Sequence, residues 1–325
     1  MSKSDKFMKS LVKTMPFMLL FIASAMGADP SSFSRRSITL NFDWDDNLVY
    51  MLTKIQLFRK DDPRYSNLEP IKRLSTADFA IAREHLGKAG EWEAYEVRTA
   101  AGQNSFEFFG SPGQGKNYFL EDLKATVAAG GGWKAPAWDA FVYGLSTQES
   151  ANKVAIITAR SHSAKDIFEA FQWLQSEGYI RYIPPLKNLQ GVGGTLNPSA
   201  EKAKIMLRQL DRLESKKVGS AWKQVTAPNG LEKAQMHIWT FSDDDWGNFA
   251  TARDTISKEV AAGRYQNTKI MLFYTGLNHP TEKPHGIVLT SDGTSRNLSG
   301  DEEQRIAHEI HMRAFPCDHY VKAAH

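Results

Sequence analysis

The stretch Ser37-Ile-Thr-Leu-Asn-Phe42-Asp43-Trp44-Asp45-Asp46-Asn47-Leu48 decides how the rest of the chain is read. Its first six residues are rich in β-branched and apolar side chains and run straight into an acidic turn, the pattern of a buried strand that ends at a polar edge. Three later runs repeat the theme. Lys153-Val-Ala-Ile-Ile157 ends at Thr158, Met236-His-Ile-Trp-Thr-Phe241 ends at Ser242-Asp243-Asp244-Asp245, and Lys269-Ile-Met-Leu-Phe-Tyr274 is the fourth. Helical spacing of apolar residues occupies Ala164 to Glu177, Ala200 to Leu213 and Asn248 to Ala261. Strands alternating with helices predict an α/β fold, a three-layer Rossmann-like core whose mainly parallel sheet is covered on both faces. In such sheets ligands lie beyond the carboxyl ends of the strands, where Asp43, Thr158 and Asp243 all fall.

Composition narrows the classes. The 325 residues are 42% hydrophobic and 24% charged, which fits a folded chain and excludes a disordered, collagen-like or multi-span membrane protein. The formal charge of +3 comes from the amino terminus, where Lys3, Lys6, Lys9 and Lys13 face only Asp5. From residue 29 onward, 36 basic side chains balance 36 acidic ones, so the body lacks the broad basic surface that drives nucleic-acid binding. The sole cysteine, Cys317, excludes an intrachain disulfide and any cysteine-based zinc cluster. The four lysines precede the apolar run Met15 to Ala28, with small residues at Ala23-Ser-Ala25. Residues 1–28 therefore read as a secretory signal, too short in its apolar part for a permanent anchor, which places the mature protein in a periplasm or outside the cell.

About 100 residues, 49–148, separate the first two strands, far more than a crossover needs. They predict a cap inserted after the first core strand, with the core formed by 29–48 and 149–325. Within the insertion, Ser75 or Thr76 can cap a helix running to about Leu86. Trp92 to Thr99 and Ser105 to Phe109 look like short strands, and Gly130-Gly-Gly132 ends a further helix. Its 12 basic and 12 acidic residues offer no electrostatic track for a polynucleotide, which favours a small substrate over a polymer.

Two carboxylates spaced i, i+2 where a strand gives way to a turn can both reach one phosphate, one attacking while the other handles a proton. Asp43 and Asp45 have that placement, and here the sequence resembles motif one of the haloacid dehalogenase-like (HAD) phosphohydrolases, an apolar strand followed by Asp-x-Asp-x-Thr-Leu. Asn47 stands where that family has Thr. Ile156-Ile157-Thr158-Ala159-Arg160-Ser161 matches motif two, Asn197-Pro198-Ser199-Ala-Glu-Lys202-Ala-Lys204 offers two candidates for the motif-three lysine, and Thr240-Phe241-Ser242-Asp243-Asp244-Asp245 matches motif four. All four occur in order between positions 43 and 243, and Lys202 is favoured over Lys204 because it lies nearer the helix start.

The resemblance implies a magnesium-dependent phosphatase working through an aspartyl-phosphate. In it Asp43 is the nucleophile, Asp45 the acid and base, Thr158 and Ala159 hold phosphate oxygens, and Lys202 contacts both nucleophile and phosphate. Asp43, Asp45, Asp243 and Asp244 are the implied metal ligands, with Asp245 as a further candidate. Charge supports this assembly, because an anionic phosphoryl group approaches a carboxylate only where a cation and a fixed ammonium offset the repulsion. The rival readings are a HAD-like exported binding protein that has lost activity, to which Asn47 lends weight, and a polynucleotide-end phosphatase or kinase. The kinase reading draws on Gly110-Ser-Pro-Gly-Gln-Gly115-Lys116-Asn117, nearly a phosphate-binding P-loop, with Asn117 where a magnesium-binding hydroxyl is required. Two further signals have plainer readings. His308 and His311 fit a solvated terminal helix better than a zinc site, and Trp44 and Trp246 fit packing better than ring stacking.

Overall fold

The computed structural model describes residues 37–100, 102–112, 115–194, 197–218, 221–224 and 237–302. The proposed signal, His308, His311 and Cys317 lie outside the described residues. The chain forms a mixed α/β structure around a seven-stranded sheet, β14-β13-β12-β11-β1-β7-β8. Its strands are β1 (Ser37–Phe42), β7 (Val154–Thr158), β8 (Leu189–Gly191), β11 (His237–Asp243), β12 (Thr268–Tyr274), β13 (His285–Leu289) and β14 (Ser295–Asn297). The remaining strands are β2 (Ile55–Arg59), β3 (Ile71–Leu74), β4 (Tyr95–Glu96), β5 (Thr99–Ala100), β6 (Gln103–Asn104), β9 (Ser215–Val218) and β10 (Ala221–Gln224). Strands β12, β11, β1, β7 and β8 run parallel, whereas β13 and β14 extend the sheet antiparallel at one edge, a feature the sequence pattern did not announce.

The sheets are joined by helices α1 (Thr76–Ala82), α2 (Tyr118–Ala128), α3 (Trp138–Gly144), α4 (Gln148–Ala151), α5 (Ala164–Ser176), α6 (Pro198–Glu214) and α7 (Trp246–Ala261), with short 3-10 turns at Pro63–Tyr65 and Leu186–Asn188. Alternation along the strands divides the core in two. Leu40, Phe42, Val154, Ile156 and Met271 face a cluster built with α2, α3 and α5. Ile157, Trp239, Phe241, Ile270 and Leu272 face a second cluster built with α6 and α7. Both faces are therefore covered, as buried parallel strands require. Helices α5, α6 and α7 lie within one or two residues of the expected spans, and the caps explain their starts. Ser163 and Asp166 form a reciprocal capping box at α5, and Asp245 accepts from Asn248 N–H at α7.

The 49–148 interval has two parts. Residues 55–112 hold the small sheet β3-β2-β4, the hairpin β5-β6 and α1, with their own cluster around Leu57, Ala94 and Tyr95. Helices α2 and α3 instead pack into the first core face, where Phe119, Leu123 and Phe141 are fully buried. Ser75 caps α1 as expected, but the helix ends at Ala82, short of Leu86. Residues 105–109 form turns, not a strand, and strand pairing near Trp92 to Thr99 is confined to two short pieces. The near P-loop has a structural use: Asn117 caps α2 by accepting from Leu120 N–H and donates to Asp166 O and Glu169 Oε2. No helix among the described residues is long and apolar enough to cross a membrane.

Candidate active site

Parallel pairing puts the carboxyl ends of β7, β1, β11 and β12 along one edge. Phe42 is in register with Ser242 and with Ile156, and Asp43 N–H donates to Ser242 O at 2.8 Å. Asp43 and Asp243 thus stand side by side one residue past that register. Helix α6 delivers Lys202 to them, its Nζ 3.0 Å from Asp43 Oδ1 and 2.8 Å from Asp243 Oδ2. The three side chains are buried, Lys202 and Asp243 almost completely. Lys204 points away, exposed and paired with Glu201 at 2.6 Å, so the geometry selects Lys202.

One ammonium does not balance the charge around it. Burial pushes the Asp43 carboxyl well above its ordinary range; Lys202 opposes this, while Asp243 and Asp45 add to it. Burial also raises Asp244 strongly, with Asp243, Asp46 and Asp43 as like-charge neighbours, and raises Asp243. Burial alone would lower Lys202, but the Asp243 and Asp43 carboxylates overcome it and hold the ammonium charged. Ligand oxygens of Asp43, Asp243 and Asp244 lie within 4.8 Å of one another. Three clustered carboxylates with raised pKa values form an all-oxygen donor set with uncompensated negative charge, which fits a hard cation.

Asp45 is not part of that cluster. Arg160 Nε reaches its oxygens at 3.0 and 2.9 Å and Arg160 Nη2 reaches Oδ1 at 2.7 Å, a forked pairing that occupies the carboxylate. Arg160 is completely buried, lies over the Phe109 ring at 4.7 Å, and also binds Asp122 Oδ2 of α2 at 3.1 Å. Asp122 in turn accepts from Thr53 N–H at 3.1 Å. Sequence reading quoted Arg160 within motif two but missed this role, since its partners are 115 and 38 residues away. Thr158 is buried, with its Oγ1 accepting from Arg160 N–H at 3.2 Å, and Ser161 N–H donates to Phe109 O at 2.7 Å. Two of the N–H groups that follow Thr158 are therefore engaged within the protein. A Cβ at Gly193 would lie 2.3 Å from Ala159 O, so glycine is what lets β8's continuation close on this turn.

Asn47, the departure from the motif, is fully used. Its Nδ2 donates to Asp43 O and Ser242 O, both at 3.1 Å, and its Oδ1 accepts from Ser242 Oγ at 2.7 Å and Thr275 Oγ1 at 2.8 Å. It joins the ends of the three strands that carry Asp43, Asp243 and Thr275. Asp46 adopts φ 53°, accepts from the Thr76 hydroxyl of α1, and is pushed up to about 6 by burial. Asp245 caps α7 and pairs with Arg83 just past α1 at 2.6 Å, which commits it to structure.

A cleft of about 140 Å³ opens beside the carboxylates, between α1 and the 275–279 loop, lined by Asp46, Tyr50, Glu84, Asp244, Trp246 and Leu277 among others. Trp246 forms part of its wall, whereas Trp44 is fully buried against Phe119 and Phe171. Comparison with protein-family models, with curated proteins and with solved structures returned no match.

Proposed function

We propose that this protein is a magnesium-dependent phosphatase of the HAD type that hydrolyses small phosphate monoesters through an aspartyl-phosphate on Asp43. The seven-stranded sheet is read as a Rossmann-like core, 29–48 with 149–325 and with α2 and α3 packed onto it, and the 55–112 part of the 49–148 insertion as the cap. The observation that carries this reading is the Lys202 ammonium, 3.0 Å from Asp43 and 2.8 Å from Asp243 at the shared strand edge with Asp244 beside them. Export to a periplasm or beyond the cell, read from residues 1–28, belongs to the same proposal.

In the first half-reaction a carboxylate oxygen of Asp43 attacks phosphorus. The bond from phosphorus to the ester oxygen breaks, its electron pair leaves on that oxygen, and Asp45 supplies the proton. In the second, Asp45 takes a proton from water, whose oxygen attacks phosphorus, releasing inorganic phosphate and restoring Asp43. Lys202 fixes the orientation of Asp43 and offsets the charge gathered on the phosphoryl oxygens. Mg²⁺ bound by Asp43, Asp243 and Asp244 would supply the remaining positive charge that the anionic partners need. Thr158 and Ala159 face the phosphate in this reading, with Thr158 also holding the turn that carries Arg160.

The Arg160 fork has a mechanistic cost. Both oxygens of Asp45 are engaged, so proton transfer to the leaving oxygen requires one of them to be released during turnover. That same contact favours the second reading, an exported binding protein that keeps the fold without turnover. A panel of phosphate esters, assayed with magnesium and with chelator, separates the two. Magnesium-dependent phosphate release supports the enzyme, and its absence across the panel supports the binding protein.

A further inference from the structure

The cleft opens beside Asp46 and Asp244, next to the carboxylate cluster, and its chemistry is one-sided. Asp46, Glu84, Asp244 and Asp245 line it, and among the described residues neither Lys nor Arg does. Each acidic group has a different standing. Asp244 belongs to the cation cluster, Asp245 is paired with Arg83, and Asp46 accepts from Thr76. Glu84, exposed on the α1 side, has neither an ion pair nor a hydrogen bond among the described residues. Arg83 adjoins the lining, its Nη2 2.4 Å from where a Cβ on Gly247 would stand, and it is paired with Asp245. His279, also in the lining, accepts through Nδ1 from Glu282 N–H at 3.0 Å and presents at most a single N–H.

The walls add a second constraint. Trp246 and Tyr274 meet edge-on at 5.3 Å, Ala77, Ala80 and Ile81 form the α1 side, and Leu277 is left half exposed at the rim. The Tyr50 hydroxyl lies in the lining with Asp46 and Asp244 and offers both a donor and an acceptor there. Gly276 lets the loop lie against Asp244, since a Cβ there would be 2.2 Å from Asp244 O. At about 140 Å³, the cleft is close to the size of a cavity that accepts a benzene ring, enough to seat a group of about six heavy atoms.

We propose that this cleft holds the alcohol half of the ester and selects a small amino-alcohol, one bearing a protonated amine and no second anion. The proposal rests on the phosphatase reading, because it assumes that the phosphate sits at Asp43. A second phosphate or carboxylate would enter next to Asp46 and Glu84, where the adjoining Arg83 guanidinium is already paired with Asp245, and repulsion of that kind gives selectivity as surely as attraction does. A protonated amine meets Glu84, Asp46 and the tyrosine oxygens instead.

The test uses the mature full chain with magnesium and four esters: O-phosphoethanolamine, phosphocholine, 2-phosphoglycolate and p-nitrophenyl phosphate. The kcat/KM for phosphoethanolamine is expected to exceed that for phosphoglycolate, its carboxylate counterpart, at least tenfold. Glu84→Gln should reduce the phosphoethanolamine to p-nitrophenyl phosphate ratio about fivefold, the range for one partly solvated charge pair. Glu84→Lys should move the preference toward phosphoglycolate. Equal or better use of phosphoglycolate, or ratios that neither variant changes, would overturn the proposal. Absence of turnover on all four esters would mark failure of the phosphatase reading instead. The cleft is then judged by calorimetric binding of phosphoethanolamine and phosphoglycolate, where tighter binding of the carboxylate ester overturns it and tighter binding of the amine upholds it.

Discussion

Replacing Asn47 by alanine removes four hydrogen bonds at the point where three strands deliver the candidate site. The Ser242 and Thr275 hydroxyls lose their shared acceptor, and the Asp43 and Ser242 carbonyls lose a donor. Ser242 O keeps its bond from Asp43 N–H, so its loss is partial. At roughly 1 kcal/mol for each buried bond, with some rescue by rearranged hydroxyls, the structure predicts a loss of about 3 kcal/mol. That is a large share of the roughly 5–15 kcal/mol available to a folded domain. Asn47→Thr, which restores the residue usual in the HAD motif, should cost about half as much, because one hydroxyl donates once where the amide donates twice. Urea unfolding at pH 7 measures both. A loss below about 1 kcal/mol for Asn47→Ala at an unchanged denaturant slope would refute the view that Asn47 is a brace and return it to being a defect in the motif.

The remaining predictions concern charge. Asp244→Asn should weaken Mg²⁺ binding in calorimetry more than Asp245→Asn does, since only Asp244 belongs to the three-carboxylate cluster while Asp245 holds Arg83. Arg160→Met should destabilise the fold by about 3–5 kcal/mol, because Asp45 and Asp122 lose the cation that balances their buried carboxylates, and adding Asp122→Asn should recover part of that loss in thermal unfolding. Asp46 is raised from 3.8 to about 6, chiefly by burial, so the folded state binds its proton more tightly than the unfolded chain. The resulting penalty is absent below pH 4, grows as pH rises and is complete above about pH 6. In chelator, Asp46→Asn should therefore match the parent near pH 4 and be more stable at pH 7, by at most about 3 kcal/mol. A stability difference that does not change with pH would contradict this.

Much of the core was legible because local pattern carries it. β1, β7, β11 and β12 are apolar runs that stop at polar residues, and Lys202 is placed by its distance from the start of α6. The antiparallel edge β13-β14 was not legible, since pairing partners leave no local mark in a single sequence. Helices α2 and α3 illustrate another limit: their positions in the chain belong to the insertion, but Phe119, Leu123 and Phe141 are buried in the core face beside β1. At the site, Asp43 and Asp243 could be found from strand ends, whereas the Arg160 fork joins residues 115 apart and depends on a turn geometry that spacing does not encode. Asn47 looked like a fault because motif comparison weighs residue identity and not hydrogen-bond capacity. All four of its bonds run to groups that only the folded sheet edge brings together.

In the proposed mechanism Asp43 is a phosphoryl acceptor assisted by Lys202 and a divalent cation. The most direct test is to mix the protein with Mg²⁺ and a small phosphate monoester, quench in acid, and locate any phosphoryl group by peptide mass spectrometry. A labile phosphoryl adduct is expected on the peptide carrying Asp43, lost in chelator and absent from Asp43→Asn, which should also release no phosphate. Undiminished magnesium-dependent phosphate release by Asp43→Asn, or an adduct on another residue, would contradict the mechanism.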